Sequence, residues 1–373
     1  MRLFALLIAS ALVCLATEKI DIQRSGAAWK LTVTGSLPFQ SISRIAVAGD
    51  LTVRGERSND IRYTISQNVI APDEATVRRL AVFFTAQFVN GQFLFAQPAS
   101  VRIGIPRATR FLAVSSVAGT IDAADLDGSF RADAGAGNII LDRIAGDVEI
   151  HSNGGKVSLG SLGGDVRCYS GGGSIRAIRI QGQAYFETNG GDIQLGEVLG
   201  PVTALTAAGG IHIDQAGARV IADTLGGPIS ILRAPGMVIA TSSGGPIDIG
   251  DATSVQCRSA SGAIRLSNVS GSLRAATGRG SIVAEILSGG DLEDSFLSTR
   301  SGDITVLIPS DMGVTIEAES RGSPNRQPIV SDFSSLRIRH QSSSVVVALG
   351  EINGGGPRLR LTGVGGRIQI KRK

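Results

Sequence analysis

Apolar and polar residues alternate in short runs along most of this chain. Residues 188–205, TNGGDIQLGEVLGPVTAL, contain two adjacent glycines, an alternation through Ile193 and Leu195, a further glycine and a second alternation that begins at Val202. A period of two places the apolar side chains on one side of a β-strand. The stretch therefore predicts two short strands that are joined by glycine corners.

The same pattern recurs about every 18 residues. Steps from Ile193 reach a column of aliphatic residues: Ile103, Ile121, Ile139, Val157, Ile175, Ile193, Ile211, Ile229, Ile247, Ile264, Ile282 and Ile304. From Ile121 onward a glycine lies two positions before each member, at Gly119, Gly137, Gly155, Gly173, Gly191, Gly209, Gly227, Gly245, Gly262, Gly280 and Gly302. Self-similarity at a fixed period indicates a repeat architecture.

Most units also carry a serine or threonine just before the glycine corner. The hydroxyl column comprises Ser116, Ser152, Ser170, Thr188, Thr206, Thr224, Ser242, Ser259 and Thr277. Hydroxyl side chains can hydrogen-bond to the backbone of a turn. Glycine permits either a positive φ or a close backbone approach, and a corner needs one of these. Both columns are therefore interpreted as structural.

Two strands with one apolar face each cannot bury that face alone, but stacked copies can. The sequence thus predicts an all-β fold, a single-stranded parallel β-helix or β-solenoid with about 18 residues per coil. Rungs about 4.8 Å apart would give a rod of roughly 50 Å for eleven coils. Right-handed crossovers are favoured between parallel strands.

The register makes a prediction about the cysteines. Cys168 and Cys257 occupy equivalent inward positions five coils apart, which corresponds to about 24 Å at the rung spacing. A disulfide needs Cα atoms within roughly 7 Å. Both residues are therefore expected to be buried free thiols.

The N-terminus has the features of a secretory signal. Arg2 precedes an apolar run, and the small residues Cys14 and Ala16 stand at the two positions that a signal peptidase inspects for a predicted cleavage after Ala16. We therefore predict a signal peptide at residues 1–16 and an exported protein in the periplasm, at the cell surface or outside the cell. No later stretch is long and apolar enough for a membrane helix, so no transmembrane span is expected after signal removal.

The rest of the chain divides into three predicted regions. Leading strands and a cap are expected at residues 17–100, with one short helix within APDEATVRRLA at 71–81, where Pro72 and the acids Asp73 and Glu74 mark a helix start. The regular solenoid is assigned to residues 101–308. Irregular coils and closing strands follow at 309–373, because GGRIQI near the end repeats the unit once more.

The charge of the chain does not indicate a nucleic-acid partner. Signal removal takes away Arg2 and leaves 35 basic and 32 acidic residues, a net charge of +3. The charges are interspersed, as on an ordinary solvated surface. No nucleic-acid binding is expected.

Several stretches resemble a known family of bacterial envelope proteins, the toastrack-like β-helix domains that are also called adhesins. The similarity lies in the leading GDLTVRG, the GGxIxI units, ITVLIPSDMGVTIEA and the closing EINGGGPRLRLTGVGGRIQI, and it covers most of the chain after the signal. The resemblance implies a β-helix of the cell envelope with a role in surface adhesion or envelope stress. It implies no catalytic residue.

The sequence lacks the patterns that several other chemistries require. Repeat-bound calcium needs a recurring acid, and that position holds Ile, Leu or Ala here. Asp291, Glu293 and Asp294 in the irregular coil at 288–297 could hold one metal ion, but a solvated loop is the preferred interpretation. Phosphate-loop, serine-hydrolase and two-histidine metal patterns are absent from the sequence. No catalytic residue, metal site or cofactor is predicted.

One candidate ligand patch emerges from the repeat. Strand alternation places Glu149, Arg167 and Tyr185 at equivalent outward positions of neighbouring coils, with Tyr169 nearby. The simpler interpretation is an ion pair beside a tyrosine, because such pairs are common on surfaces.

We therefore predict a non-enzymatic, exported cell-envelope β-helix that acts as an adhesin or as a binding or structural scaffold. Its partner would be an envelope protein or a polysaccharide. The alternatives are a carbohydrate-active β-helix enzyme, which would require a carboxylate pair across a groove, and an envelope-stress signalling component.

Overall fold

A computed structural model describes residues 18–38, 41–82, 84, 86–322 and 327–373. The predicted signal at residues 1–16 lies outside the described residues. The chain divides into two compact units, one that ends at Gly163 and one from Gly164 to Lys373. In both units the coils are those of a parallel β-solenoid, which confirms the predicted fold class.

The described part of the first unit consists of strands and one helix. The elements are β1 (Lys19–Ser25), β2 (Ala28–Leu37), β3 (Arg44–Val47), β4 (Leu51–Glu56), β5 (Ile61–Val69), α1 (Glu74–Ala81), β6 (Gln87–Val89), β7 (Gln92–Phe95), β8 (Ser100–Pro106), β9 (Phe111–Ser116), β10 (Ile121–Leu126), β11 (Ser129–Ala134), β12 (Ile139–Ile144), β13 (Val148–Ser152) and β14 (Val157–Leu162).

Parallel pairing in the first unit follows the 18-residue repeat from Ile121 onward. Ile121 lies opposite Ile139, and Ile139 lies opposite Val157. Before Ile121 the predicted column is wrong, because β4 pairs with both β8 and β10. Leu51 of β4 aligns with Val101 and Ile121, so Ile103 belongs to the neighbouring inward position. The 18-residue step fails here because the leading GDLTV strand, β4, lies between β8 and β10. These two strands are closer to each other in the sequence than either is to β4.

An antiparallel layer and a helix accompany the leading coils. β2 pairs antiparallel with β1 and β5, and β5 pairs antiparallel with β8. The predicted short helix is confirmed as α1. The Asp73 side chain caps it by accepting a hydrogen bond from the Thr76 backbone N–H at 2.7 Å. Val77 and Ala81 are the buried residues of α1.

The described part of the second unit consists of strands. They are β15 (Val166–Ser170), β16 (Ile175–Ile180), β17 (Ala184–Thr188), β18 (Ile193–Val198), β19 (Val202–Thr206), β20 (Ile211–Ala216), β21 (Val220–Thr224), β22 (Ile229–Ser242), β23 (Ile247–Ser259), β24 (Ile264–Val269), β25 (Leu273–Thr277), β26 (Ile282–Ile286), β27 (Ser295–Thr299), β28 (Ile304–Ile308), β29 (Val314–Arg321), β30 (Ile329–Ser331), β31 (Arg337–Ser342), β32 (Val345–Ile352), β33 (Arg358–Val364) and β34 (Ile368–Arg372).

Equivalent aliphatic residues lie over one another in the second unit. Ile175, Ile193 and Ile211 are paired in parallel register, and each is at most 1% exposed. Burial of such a side chain contributes about 1.5–3 kcal/mol, and each coil repeats this contribution. Cys168 and Cys257 are buried free thiols, as predicted. Burial raises the pKa of both thiols, so they stay protonated.

Close packing, rather than unusual φ, explains most of the glycine column. A Cβ on Gly209 would lie less than 3.0 Å from the carbonyl oxygen of Gly191, and a Cβ on Gly227 would meet Gly209 in the same way. In this column only Gly280 and Gly302 have φ in the left-handed range among the described residues. Of the two reasons considered from the sequence, close backbone approach is therefore the main one.

From Thr188 onward the hydroxyl column links each corner to the coil before it, whereas Ser152 and Ser170 donate to the glycine carbonyl of their own corner. The Thr224 hydroxyl donates to the Gly209 carbonyl at 2.9 Å and accepts from the Gly227 N–H at 3.1 Å. The same pair of bonds is made by Ser242 with Gly227 and Gly245. These buried side chains thus satisfy backbone groups that the corner leaves without a strand partner.

The C-terminal part of the second unit departs from the simple coil. β29 pairs antiparallel with β32, and β32 pairs antiparallel with β31. The chain then returns to the stack, where Ile368 of β34 lies opposite Ile304. The closing GGRIQI thus adds one more rung, as the sequence indicated.

Candidate binding face

The candidate site lies on one outward side of the second unit. Each coil there has two strands, and the outward side chains of the second strand form what we call the second-strand face. It consists of the outward residues of β15, β17, β19, β21, β25, β27 and the later halves of β22 and β23. The first-strand face consists of those of β16, β18, β20, β24, β26, β28 and the earlier halves of β22 and β23.

Three of the four predicted patch residues come together on the second-strand face. Arg167 of β15 lies directly opposite Tyr185 of β17. The rings of Tyr169 and Tyr185 have centroids 5.5 Å apart and planes at 46°. Tyr169 is 36% exposed. Aromatic pairs at this separation attract each other, so the two rings form one surface with an exposed aromatic side.

A carboxylate that the sequence analysis did not single out orients Tyr185. The Tyr185 hydroxyl donates to Glu187 Oε2 at 2.7 Å, two residues along the same strand. This hydrogen bond, together with partial burial and the negative charge of Glu187, raises the pKa of Tyr185 to about 12. The phenol is therefore a neutral donor at physiological pH. The sequence feature that could have revealed this contact is the alternation in YFET, which places Tyr185 and Glu187 on the same side of β17.

The fourth predicted residue, Glu149, belongs to the first unit. It lies opposite Arg131, with its carboxylate 3.6 Å from Arg131 Nη1 and 3.0 Å from His151 Nε2. Arg131 also bonds to Asp133 at 3.2 Å. Within that unit Glu149 is therefore part of a cluster of alternating charges on one strand pair.

Aliphatic side chains continue the second-strand face beyond the tyrosines. Thr203 follows Tyr185 in register, and Ile221 and Ile239 follow Thr203 on successive coils. Leu205 lies opposite Glu187. These four side chains are half-buried. This extension was not predicted from the sequence, because its aliphatic residues form no cluster of chemistry-bearing side chains and are recognisable only as an outward column.

The first-strand face differs in chemistry. Arg179 pairs with Glu197 at 3.1 Å, and Arg233 lies 3.5 Å from Asp251 on a later coil. Asn268 donates to Asp251 at 3.0 Å. Exposed ion pairs of this kind contribute little stability, but they leave these carboxylates engaged by basic or amide partners.

The acidic coil at 288–297 is held by internal contacts. The Asp294 carboxylate accepts from the Arg358 backbone N–H at 2.8 Å and lies 3.4 Å from its Nη2. These bonds lower the pKa of Asp294. Across the ranges that the structure describes, no group of three or more His, Cys, Asp or Glu side chains is placed to hold a metal ion.

Within the described ranges, no helix has the length and hydropathy that crossing a membrane requires.

Comparison with known proteins places the fold in a family. No curated protein matches the chain significantly. A crystal structure of a "putative cell adhesion protein" from Clostridium sporogenes aligns over 96% of this chain and 100% of that one, at 11% identity and a TM-score of 0.15. That score is too low to support an argument. The model of the family "Toastrack DUF4097" matches residues 15–327, which is most of the chain, and the protein therefore belongs to the Toastrack DUF4097 family.

Proposed function

We propose that the protein is an exported, non-enzymatic component of the cell envelope that binds an envelope polysaccharide or protein through its second-strand face. The observation that carries the proposal is the ring pair of the exposed Tyr169 and the half-buried Tyr185, beside Arg167 on a regular sheet surface. Membership of a family of β-helix domains agrees with such an adhesin-like or scaffolding role.

The chemistry of the face suits an extended ligand. Aromatic side chains supply large contact area with few rotamers to fix, and they are enriched where proteins bind partners. The side chains of the face stand on strands that repeat every coil, so their positions are set by the buried columns beneath. A polymer with its own repeat could therefore contact several coils at once and gain avidity.

A binding role is also supported by the state of the carboxylates. Glycoside cleavage generally needs two carboxyl groups across the scissile bond, one of them protonated. On the first-strand face, Glu197 and Asp251 are engaged by arginines. Arg143 lowers the pKa of Asp125 in the first unit. A carboxyl group with a lowered pKa, such as that of Asp125, favours the ionised form and is a poor general acid.

The test is retention of the purified protein by envelope fractions, with peptidoglycan and extracted polysaccharide assayed separately. Replacement of both tyrosines, Tyr169→Ala with Tyr185→Ala, should weaken retention at least about tenfold, which corresponds to about 1.4 kcal/mol. The control is Arg176→Ala on the first-strand face, which should bind as the unmodified protein does. Equal retention of both variants would contradict the proposal.

A second measurement separates binding from catalysis. The same polysaccharides are incubated with the protein and analysed for new reducing ends or unsaturated products. No product is expected. Product formation that a single Asp or Glu substitution abolishes would replace this proposal with a carbohydrate-active enzyme.

Export has its own test. A cleaved signal should give a mature chain that begins at Thr17, which N-terminal sequencing of protein from the native host can read. A chain that retains Met1 in the cytoplasm would contradict the proposed location.

A further inference from the structure

A second polar site lies in the first unit, well separated in sequence from the tyrosine pair. It is an open cleft of about 660 Å³, which falls within the usual range of small-molecule sites. The polar side chains that line it are Lys30, Asp50, Ser66, Gln67, Asn68 and Ser100. We call this site the β5 cleft.

The cleft exists because three strands of unequal length meet there. β5 pairs with β2 along its whole length, up to Val69 opposite Trp29. Its pairing with β8 stops earlier, at Ser66 opposite Ser100. The last residues of β5 therefore extend past the beginning of β8, and the space beside them is left open.

The floor of the cleft is tightly packed backbone. A Cβ on Gly49 would lie less than 3.0 Å from the Ala99 carbonyl oxygen, and a Cβ on Gly119 would overlap the backbone of Gly49. At the rim, Asp50 Oδ1 accepts from the Thr120 N–H at 2.8 Å. This bond fixes the carboxylate, so the cleft has a pre-formed shape, which lowers the cost of ligand binding.

One buried polar atom in the lining has no partner. Gln67 continues the inward-facing column of β5 after Ile61, Tyr63 and Ile65. Its Oε1 is inaccessible to solvent and accepts no hydrogen bond within the described part of the chain. A buried acceptor that stays unpaired is costly, and the great majority in folded proteins are paired. A donor from outside the chain would remove this cost.

We propose that the β5 cleft binds a short saccharide, and that a rotation of the Gln67 side chain lets its Oε1 accept a hydrogen bond from a sugar hydroxyl or acetamido N–H. The lining offers two amides, two hydroxyls, one carboxylate and one ammonium group, which can donate to and accept from a polyhydroxylated ligand. Its apolar contribution is limited to Pro98 and alanines, which disfavours an apolar ligand. The inference is independent of the proposed function, because it concerns other residues in the other unit.

An extended peptide is the competing ligand, since it could pair with the end of β5 as an added strand. An added peptide strand would bind through the backbone of β5 and through pockets for its own side chains. It would not need the polar side chains of the cleft, so these side chains favour the saccharide. The experiment therefore includes both classes of ligand.

The test uses the full mature chain and three disaccharides: N,N′-diacetylchitobiose, cellobiose and digalacturonate. Saturation-transfer NMR detects binding, and calorimetry measures the affinity. At least one disaccharide should bind, and Gln67→Met and Asn68→Ala should each weaken it at least about tenfold. Gln194→Met, on an exposed position of β18, is the matched control and should bind normally, as should the double tyrosine variant.

A thermal melt separates a ligand role from a structural one. Gln67→Met removes the unpaired acceptor, so the free protein should melt at the same temperature or higher. Asn68 is exposed, so Asn68→Ala tests the site even if the core variant does not fold. The proposal is overturned if no disaccharide binds, if both variants bind as the unmodified protein does, or if an alternating Val–Thr heptapeptide binds and excludes the sugar.

Discussion

The inward columns and the outward faces of the second unit follow different rules. The inward positions hold Ile, Leu, Val or Ala in nearly every coil and are almost completely buried. The outward positions of the same strands change from coil to coil, as where Arg167, Tyr185 and Thr203 succeed one another. Adjacent residues of one strand are thus subject to separate constraints.

The two outward faces also differ from each other. Ion pairs mark the first-strand face, which also carries the exposed Ile178 and Leu232, whereas tyrosines and half-buried aliphatic residues mark the second-strand face. Both faces rest on the same core, so the difference between them is not needed for folding. The inward residues that repeat from coil to coil therefore stabilise the fold, and the outward residues that vary between coils are available for binding.

The largest expected effect comes from the aliphatic column. Ile193→Ala should lower the free energy of unfolding by about 2–5 kcal/mol, because it removes buried methyl groups and leaves a cavity. Its outward neighbour gives the matched control: Gln194→Ala should change the free energy of unfolding by less than about 0.5 kcal/mol. Urea unfolding measures the free energy of unfolding of both variants. Similar losses in the two variants would contradict the distinction between inward and outward positions.

The glycine corner offers two adjacent positions with opposite expectations. Gly227→Ala would force a Cβ against the Gly209 carbonyl, and we expect a loss of roughly 1–3 kcal/mol from overpacking. A Cβ on Gly226 would have its nearest neighbour at 3.6 Å. Gly226→Ala should therefore change stability by less than about 1 kcal/mol. Thermal or urea melts of the pair decide the matter, and equal tolerance would refute close approach as the reason for the column.

The hydroxyl column should show a comparable effect through hydrogen bonding. Thr224→Val keeps the shape but leaves the Gly209 carbonyl and the Gly227 N–H without their partner. The expected loss is about 1–3 kcal/mol. On the second-strand face, Thr203→Val should lie within about 0.5 kcal/mol of the unmodified protein. If Thr224→Val leaves the free energy of unfolding unchanged, the corners are stable without these hydrogen bonds.

The smallest effect concerns the titration of Tyr185. Glu187→Gln removes the negative charge, so the pKa of Tyr185 should fall from about 12 towards its ordinary value. Because the pKa is raised in the folded state, the associated stability is present below the unfolded value of about 10 and is lost as the pH rises through about 12. Tyrosinate absorbance measures the shift. Glu197→Gln, which has arginine as its partner, should leave the titration unchanged.

Much of the fold could be predicted because certain positions of the repeat are occupied by the same residue type in nearly every coil. Between residues 119 and 304 an isoleucine with a glycine two positions earlier indicates one rung, and the buried thiols at Cys168 and Cys257 followed from the same register. The position of Ile103 could not be predicted. Nothing in the 18-residue step reveals that β4 lies between β8 and β10, because a strand inserted from earlier in the chain leaves no mark on the spacing.

The candidate sites were predicted less completely. The pairing of Arg167 with Tyr185 follows from the period, and so was foreseen. The hydrogen bond from Tyr185 to Glu187 depends on rotamers, which sequence spacing does not determine. The β5 cleft was not foreseen at all, since it depends on where two non-adjacent strands stop pairing.

The sequence by itself determined the type of fold, the coil length, the inward columns and the corners. Each of these depends on local alternation or on contact with an identical neighbour, so one unit contains the information for the next. The tertiary structure alone decided the insertion of β4, the antiparallel layer around β5, and the open cleft with its unpaired Gln67 amide oxygen. Those features arise where segments distant in sequence meet, and no periodic pattern specifies such meetings.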